Sequence, residues 1–298
     1  MKIYTIIVTY NAMRWIDRCL KSLQESTVST SVIIIDNRST DGTREYIPKH
    51  YKDIIWMPQE TNFGFGQANN IGLRYALKHN ADFVLLLNQD GSLHPNALQH
   101  MLDASDGDSL VAPLQLNGDG TRLDEMFRSV FRNTSSTIID DILISNKLNK
   151  SYQMGEIGAA CWFMPIRLIN NIGGFNPLFF QYSEDNNYYQ RMLYHRVKVL
   201  LAPHAHMYHD RILHGNVQAY NNKRIRRDLI FTICNINKSL WICIANCLRI
   251  FARCYIHELP RHKYIPGTYL MGILWIIFHI PSIIKSRHKE KAIGQNWL

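Results

Sequence analysis

Residues 3–11 read Ile-Tyr-Thr-Ile-Ile-Val-Thr-Tyr-Asn, a continuous apolar, β-branched run that ends in two polar residues. A run of this length without polar alternation marks a strand buried on both faces. Three more runs of the same kind follow: Val32–Ile35, ending in Asp36, then Ile54–Met57 and Phe83–Leu87. Between them the apolar residues change period. Trp15, Ile16, Cys19, Leu20 and Leu23 recur at helical spacing, as do Ala68, Ile71, Tyr75, Ala76 and Leu77. Parallel strands need crossover connections, so strand–helix–strand repetition predicts an α/β fold with a doubly wound, mostly parallel sheet. Such sheets bind ligands beyond the carboxyl ends of their strands. The polar clusters in those places are Tyr10-Asn11, Asp36 to Gly42 and Asn88-Gln89-Asp90.

Further along, residues 115–152 read as a loop-rich insertion. Glu156–Met164 is a strand candidate, and Pro165 opens a short helix that Gly173-Gly174 ends. Ser183 reads as the N-cap of a helix over Glu184–Tyr194, and Val197–Leu201 as a last strand. From Asn221 the composition changes. The chain has 298 residues and a formal charge of +9, and residues 221–298 hold 13 of its 33 Lys and Arg against 3 of its 24 Asp and Glu. The basic excess therefore lies in the tail, which divides the chain into an α/β domain over 1–220 and a basic helical extension over 221–298.

The extension is apolar as well as basic, which favours an anionic membrane surface over nucleic acid as its partner. Residues 229–256 mix Leu, Ile, Trp and Phe with Asn235, Asn237, Lys238, Asn246 and Arg249, too polar to span a bilayer. Residues 269–284 are more apolar, but shorter than the roughly 20 residues of a span, and His279 and Pro281 interrupt them. Lys285, Arg287, Lys289 and Lys291 follow. Amphipathic helices lying in the interface fit this pattern; a helical subdomain packed on the α/β domain is the other reading. None of the six cysteines forms a C-x-x-C pair, which argues against a zinc ribbon or a thioredoxin-like site. Met1–Tyr10 lacks the charged region and cleavage site of a signal peptide, so the expected location is cytosolic. Sequons such as Asn133–Ser135 then carry no consequence.

Several residues have chemical readings beside ordinary ones. Asp36, at a strand end, is placed to accept hydrogen bonds from a nucleotide base. Asp41 reads first as a helix cap. Asp90 is suited to a hard divalent cation next to a diphosphate, or forms an Asp-Gly turn. Asn62 to Gly72 is a glycine- and asparagine-rich opening of a helix whose amides could meet phosphate or sugar. Its spacing and its place after the third strand exclude the dinucleotide fingerprint. Glu184-Asp185 opens a helix whose dipole favours ionised carboxylates, as a general base requires; plain helix-start charge is the alternative. His204, His206 and His209 follow the last predicted strand, with His204 and His206 on one face.

Together these pieces resemble the family 2 inverting glycosyltransferases, especially the bacterial rhamnosyltransferase-like members that build surface polysaccharides such as O-antigen. The resemblance covers residues 3–215. It is carried by Ile6 to Asn11, Ile35 to Gly42, Asn62 to Gly72, Leu86 to Asp90, Gly173-Gly174-Phe175, Glu184-Asp185 and His209. It implies a GT-A fold and a nucleotide-sugar donor. The basic, apolar tail in turn predicts a lipid-linked glycan acceptor met on the inner face of the cell membrane. By the resemblance Thr9, Tyr10 and Asp36 line the nucleotide pocket, accompanied by Asn11, Asn62, Gly66, Asn69 and Asn88. Asp90 and His209 would bind divalent metal, Mn or Mg, and Asp185 would be the base. Two positions depart from the pattern: Asn88 replaces the first acid of D-x-D, and Asn187 replaces a further acid after the Glu-Asp pair. A sugar nucleotidylyltransferase would want a Gly-rich basic loop after the first strand, and Tyr10-Asn11-Ala12-Met13 is not one. Asp90, Asp185 and His209 argue against a catalytically inactive, membrane-associated binding protein.

Overall fold

The structure is a computed structural model and describes residues 1–133, 137–211, 227–253 and 266–298. The expected boundary at 220/221, residues 134–135 of the sequon and Cys254 lie outside the described residues.

The four predicted runs form β1 (Ile3–Thr9), β2 (Ser31–Asp36), β3 (Ile55–Pro58) and β4 (Phe83–Leu87). They pair in parallel in the order β3-β2-β1-β4, and Thr9 lies level with Asp36. Crossover helices α1 (Ile16–Gln24), α2 (Thr43–His50) and α3 (Gly64–Lys78) connect them. Each face of the sheet carries its own core. On one, Ile7, Ile34 and Leu85 meet Ile16, Leu20 and Ile47; on the other, Ile6, Ile35 and Leu86 meet Ala68 and Leu73. This alternation explains the unbroken apolar runs: both sets of side chains are covered.

The second half of the sheet is mixed. β5 (Gly91–Leu93), α4 (Ala97–Ala104) and β6 (Leu110–Asn117) come next in the chain. After the irregular insertion come β7 (Tyr152–Met154) and β8 (Cys161–Pro165), then the helices α6 (Ile166–Ile172) and α7 (Glu184–Tyr194), and finally β9 (Val199–His209). The insertion contains a 3-10 turn (Phe127–Asn133), the short α5 (Thr137–Asp140) and a π turn (Asp141–Ser145). β8 runs antiparallel to β4 and β6, β6 runs parallel to β9, and β5 and β7 run antiparallel to β9. The expected strand over Glu156–Met164 is thus displaced: residues 156–160 are irregular and pairing begins at Cys161.

β9 is longer than the expected strand and takes in all three histidines instead of ending before them. Pro113 pairs with Ala202, but the next residue, Leu114, pairs with His206, so Pro203, His204 and Ala205 bulge out. Pro203 has no N–H to give to a ladder, which suits it to a bulge. Past the bulge the register sets His209 beside both Asn117 and Gly91. His204 and His206 instead turn toward His100 and His94, with ring centroids 6.0 and 6.2 Å apart.

The C-terminal extension folds into helices: α8 (helical over 227–234), α9 (Leu240–Arg253) and α10 (Pro266–Lys291), the last continuing through Pro281. Ile230, Ile233, Cys234, Cys243 and Ile283 form a small core that includes Phe179 of the α/β domain. Cys234 and Cys243 are small apolar fillers. Arg287 ties the unit together by donating to the carbonyls of Ile233, Asn235 and Lys238. Among the described residues no helix is long and apolar enough to cross a membrane. Trp241, Ile242 and Leu248 of α9, and Met271, Ile277 and Phe278 of α10, remain exposed.

Candidate active site

Parallel pairing gathers the ends of β1, β2 and β4 along one edge. There Asp36 is buried with both oxygens engaged: Thr9 Oγ1 donates at 3.0 Å, Ser39 Oγ at 2.5 Å and Ser39 N at 3.1 Å. Asn11 sits at φ 53 and bridges the same turn, its N–H donating to Ser39 Oγ and its Oδ1 accepting from Thr40 N. Asp41 stands one residue before the N-cap, which is Gly42, and accepts from Thr43 N, Thr43 Oγ1 and Met13 N. Burial works against its charge, but these donors prevail and hold the carboxyl below its usual value. Tyr10 is half exposed over the crevice. Its backbone is clamped by the Gln89 amide, which accepts from Tyr10 N at 2.7 Å and donates to Tyr10 O at 3.1 Å. The sequence placed Gln89 in the polar cluster after the fourth strand but gave it no role.

The Asn62–Gly72 segment has a different use for most of its residues. Asn62 is exposed, and its Oδ1 accepts from Gly64 N. Gly64 has φ +74, and a Cβ there would strike the Phe180 carbonyl; one on Gly66 would meet Phe175. Asn69 is buried and donates to Phe65 O. Asn70 grips Phe175 by donating to its carbonyl and accepting from its N–H. The glycines and asparagines therefore seat α3 against the 175–180 loop, and Gly66 and Asn69 lie inside that packing.

Asp90 follows β4, and its Oδ1 lies 3.2 Å from His209 Nε2. The other imidazole nitrogen, Nδ1, faces Asp124 Oδ2 at 3.7 Å, and Asp124 pairs with Arg211 Nε at 2.9 Å. Asp124 lies in the irregular insertion, and no spacing signal pointed to it. The Asp185 carboxyl feels the Arg211 charge. Ala159 N donates to Asp185 Oδ2 at 3.4 Å, while the adjacent Ala160 O accepts from Asn88 N at 2.9 Å. One backbone step thus links the end of β4 to the start of α7.

A match to the sequence profile of glycosyl transferase family 2 covers residues 4–164, more than half of the chain. The chain belongs to glycosyl transferase family 2. Among curated family 2 relatives, an N-acetylglucosaminyl-diphospho-decaprenol L-rhamnosyltransferase from Mycobacterium tuberculosis is 25% identical over 204 residues. That match takes in 60% of this chain and 66% of the relative, just under two thirds of its length. An undecaprenyl-phosphate mannosyltransferase from Micrococcus luteus is 28% identical over 107 residues, 35% of this chain and 44% of that one. In structure, S. aureus TarS 1-349 in complex with UDP aligns with TM-score 0.54 at 15% identity, covering 98% of this chain and 90% of that one. The mannosyltransferase PcManGT from Pyrobaculum calidifontis, solved with GDP-Man and Mn2+, aligns with TM-score 0.57 at 14% identity over 94% and 75% of the two chains. The fold is that of the GT-A glycosyltransferases.

The crevice fits a divalent cation. Asp90 and His209 offer one oxygen and one nitrogen donor side by side. His209 Nδ1 is buried without a hydrogen-bond partner, with Asp124 Oδ2 at 3.7 Å. Among the described residues no group of three or more His, Cys, Asp or Glu is gathered for a metal. Two protein donors suffice where phosphate oxygens and water complete the shell.

α7 departs from expectation at its start. Ser183 occupies the N-cap position at φ 68 but makes no side-chain cap. The helix dipole does not keep both carboxylates ionised. Glu184 is buried, and burial together with the neighbouring Asp185 pushes its carboxyl up to about 8. Burial also raises Asp185 and, nearby, Glu156, which accepts from Asn186. Desolvation outweighs the field of a helix start.

A raised carboxyl pKa favours the protonated folded state, so stability is fullest below the unfolded value and falls as pH rises toward 8. Glu184→Gln should therefore flatten the loss of Tm between about pH 4.5 and 8. An unchanged Tm–pH curve would show that Glu184 titrates normally.

Proposed function

We propose that this chain is an inverting, metal-dependent glycosyltransferase. It would move a sugar from a nucleoside-diphosphate donor to a lipid-linked glycan in bacterial surface polysaccharide synthesis. The observation that carries the reading is the run of contacts from Asp90 through His209 and Asp124 to Arg211, with Asp185 held by Ala159 N next to the residue that binds Asn88 N. On this reading a leaving-group site at Asp90 and His209 works with a base at Asp185. The curated relatives named for lipid-linked substrates support the acceptor class.

Ionised Asp185 takes the proton of an acceptor hydroxyl as that oxygen attacks the anomeric carbon from the face opposite the diphosphate. The new glycosidic bond forms as the bond to the phosphate oxygen breaks. The proton ends on Asp185, and configuration is inverted without a covalent enzyme intermediate. Mn2+ or Mg2+ bound at Asp90 and His209 would supply positive charge against the departing diphosphate. Thr9, Asn11 and Asp36 hold the turn beneath the nucleotide, and Tyr10 offers it a ring. Donors such as UDP-GlcNAc, GDP-mannose and dTDP-rhamnose, assayed with Mn2+ and a polyprenyl-diphosphate-linked sugar, test the reading through nucleoside diphosphate release. Failure to release it from every donor would overturn it.

The extension would hold the enzyme at the inner face of the membrane. Its net basic charge and the exposed Trp241, Ile242, Met271, Ile277 and Phe278 support this. Each basic residue near anionic lipid adds about 1 kcal/mol, a contribution that salt screens while apolar burial persists. The full chain should float with phosphatidylglycerol vesicles, more weakly in high salt, and a Trp241→Glu, Phe278→Glu double variant should stay behind. If the wild-type chain fails to float, the extension is a packed subdomain only.

A further inference from the structure

Arg191 of α7 is wholly buried, and its Nε lies 4.0 Å from Glu290 Oε1 of α10, also wholly buried. A buried guanidinium needs a compensating anion. On a helix, the side chain four residues earlier lies on the same face and is the nearest place for such an acid. Here position 187 holds a fully buried asparagine, which carries no charge to offer Arg191. Burial raises the Glu290 carboxyl, and the Arg191 charge opposes that rise.

We propose that Glu290 is a positioning residue for Asp185. The C-terminal extension supplies the anion that α7 lacks at position 187 and so locks the helix whose first turn carries the base. This rests on the assignment of Asp185 given above.

The lock grips both α7 and the loop leading to it. Arg191 Nη1 and Nη2 donate to Ile172 O and Gly174 O, and Tyr188 OH donates to Gly173 O. Asn176 Nδ2 donates to Glu290 Oε1 at 2.6 Å and to Ser286 Oγ at 2.7 Å. Asn296 O accepts from Gly174 N, and a Cβ on Gly173 would collide with the Asn296 backbone. His195 Nε2 meets Glu290 O, and Asn237 Nδ2 donates to Gln190 O. The contacts made by Glu290 and its neighbours fall on the far half of α7 and on the 172–176 loop, while Arg227 of α8 lies over Tyr182 before the first turn of α7. Release would leave the crevice ligands in place but free α7 to shift.

The test uses the full chain with Glu290→Gln, Asn187→Asp and the two combined, read by thermal melting and by nucleoside diphosphate release from the donor that wild type accepts. Glu290→Gln should lower Tm by about 5–10 °C. It should reduce kcat by about 10–100-fold, with donor KM nearly unchanged. Asn187→Asp in that background returns an anion to Arg191 and should restore most of both. If Glu290→Gln does not fold, soluble protein from the double variant is the supporting result, and its absence the overturning one. A double variant no better than Glu290→Gln, or a Glu290→Gln protein that melts and turns over like wild type, overturns the proposal. Should Asp185→Asn retain turnover, the base assignment falls, while rescue of Tm still reports on the Glu290–Arg191 pair.

Discussion

Asp185→Asn is expected to lower turnover by at least about 10²-fold while donor binding stays nearly unchanged. Asparagine keeps the size of the side chain and can still accept from Ala159 N through its carbonyl oxygen. It cannot take a proton. The raised Asp185 carboxyl adds a pH signature. A base works only when ionised, so turnover should climb with pH through a value above that of an ordinary aspartate. Glu184, pushed to about 8, stays protonated at neutral pH and adds no second negative charge beside the base. Steady-state rates from pH 4 to 8 check both points. If Asp185→Asn turns over near the wild-type rate, the base lies elsewhere, and Glu184 is the next residue to replace.

Asp90→Ala is expected to abolish transfer and leave the fold intact. The carboxylate is partly exposed and supports no core, and its one close side-chain partner is His209. Its removal takes the oxygen donor from the proposed cation site and leaves a lone imidazole. Wild-type enzyme stripped with EDTA should be equally inactive and recover with Mn2+. Mn2+ should raise the Tm of wild type but not of the variant. Full activity in the variant, or in wild type with excess EDTA, would remove the metal assignment.

Much of the parallel half of the sheet was legible because burial on both faces leaves a local mark. Ile3–Thr9 and Phe83–Leu87 are strands with the very bounds that their apolar runs predicted, and Glu184–Tyr194 is the predicted helix. β5 and β6 were not legible. Gly91–Leu93 is too short to show a period, and Pro113 interrupts the pattern of Leu110–Asn117. Their identity as strands comes from pairing with β9, a partner distant in sequence.

The candidate site divides in the same way. Asp36, Asp90 and Asp185 could be named from sequence because each stands near an element end, where a polar residue interrupts an apolar or periodic pattern; His209 was named only through the family resemblance. Asp124, Gln89 and Arg211 could not, since each has meaning only through what lies opposite it: His209, the Tyr10 backbone and Asp124. The Asn62–Gly72 segment shows the reverse problem. Its composition suits phosphate binding, but the close approach of Phe175 and Phe180 makes packing the main demand on it.

By itself the sequence determined the strand–helix alternation, the edge of the sheet where a ligand would sit, and the uneven charge of the extension. These follow from periodicity, chain direction and composition, which are local properties. Only the tertiary structure decided that β8 runs antiparallel, that a bulge at Pro203–Ala205 sets His209 against Asp90, and that Glu184 is pushed to about 8. It alone decided that the end of a basic tail closes on α7 through Glu290. Those depend on register and desolvation, which arise when residues far apart in the chain exclude water together.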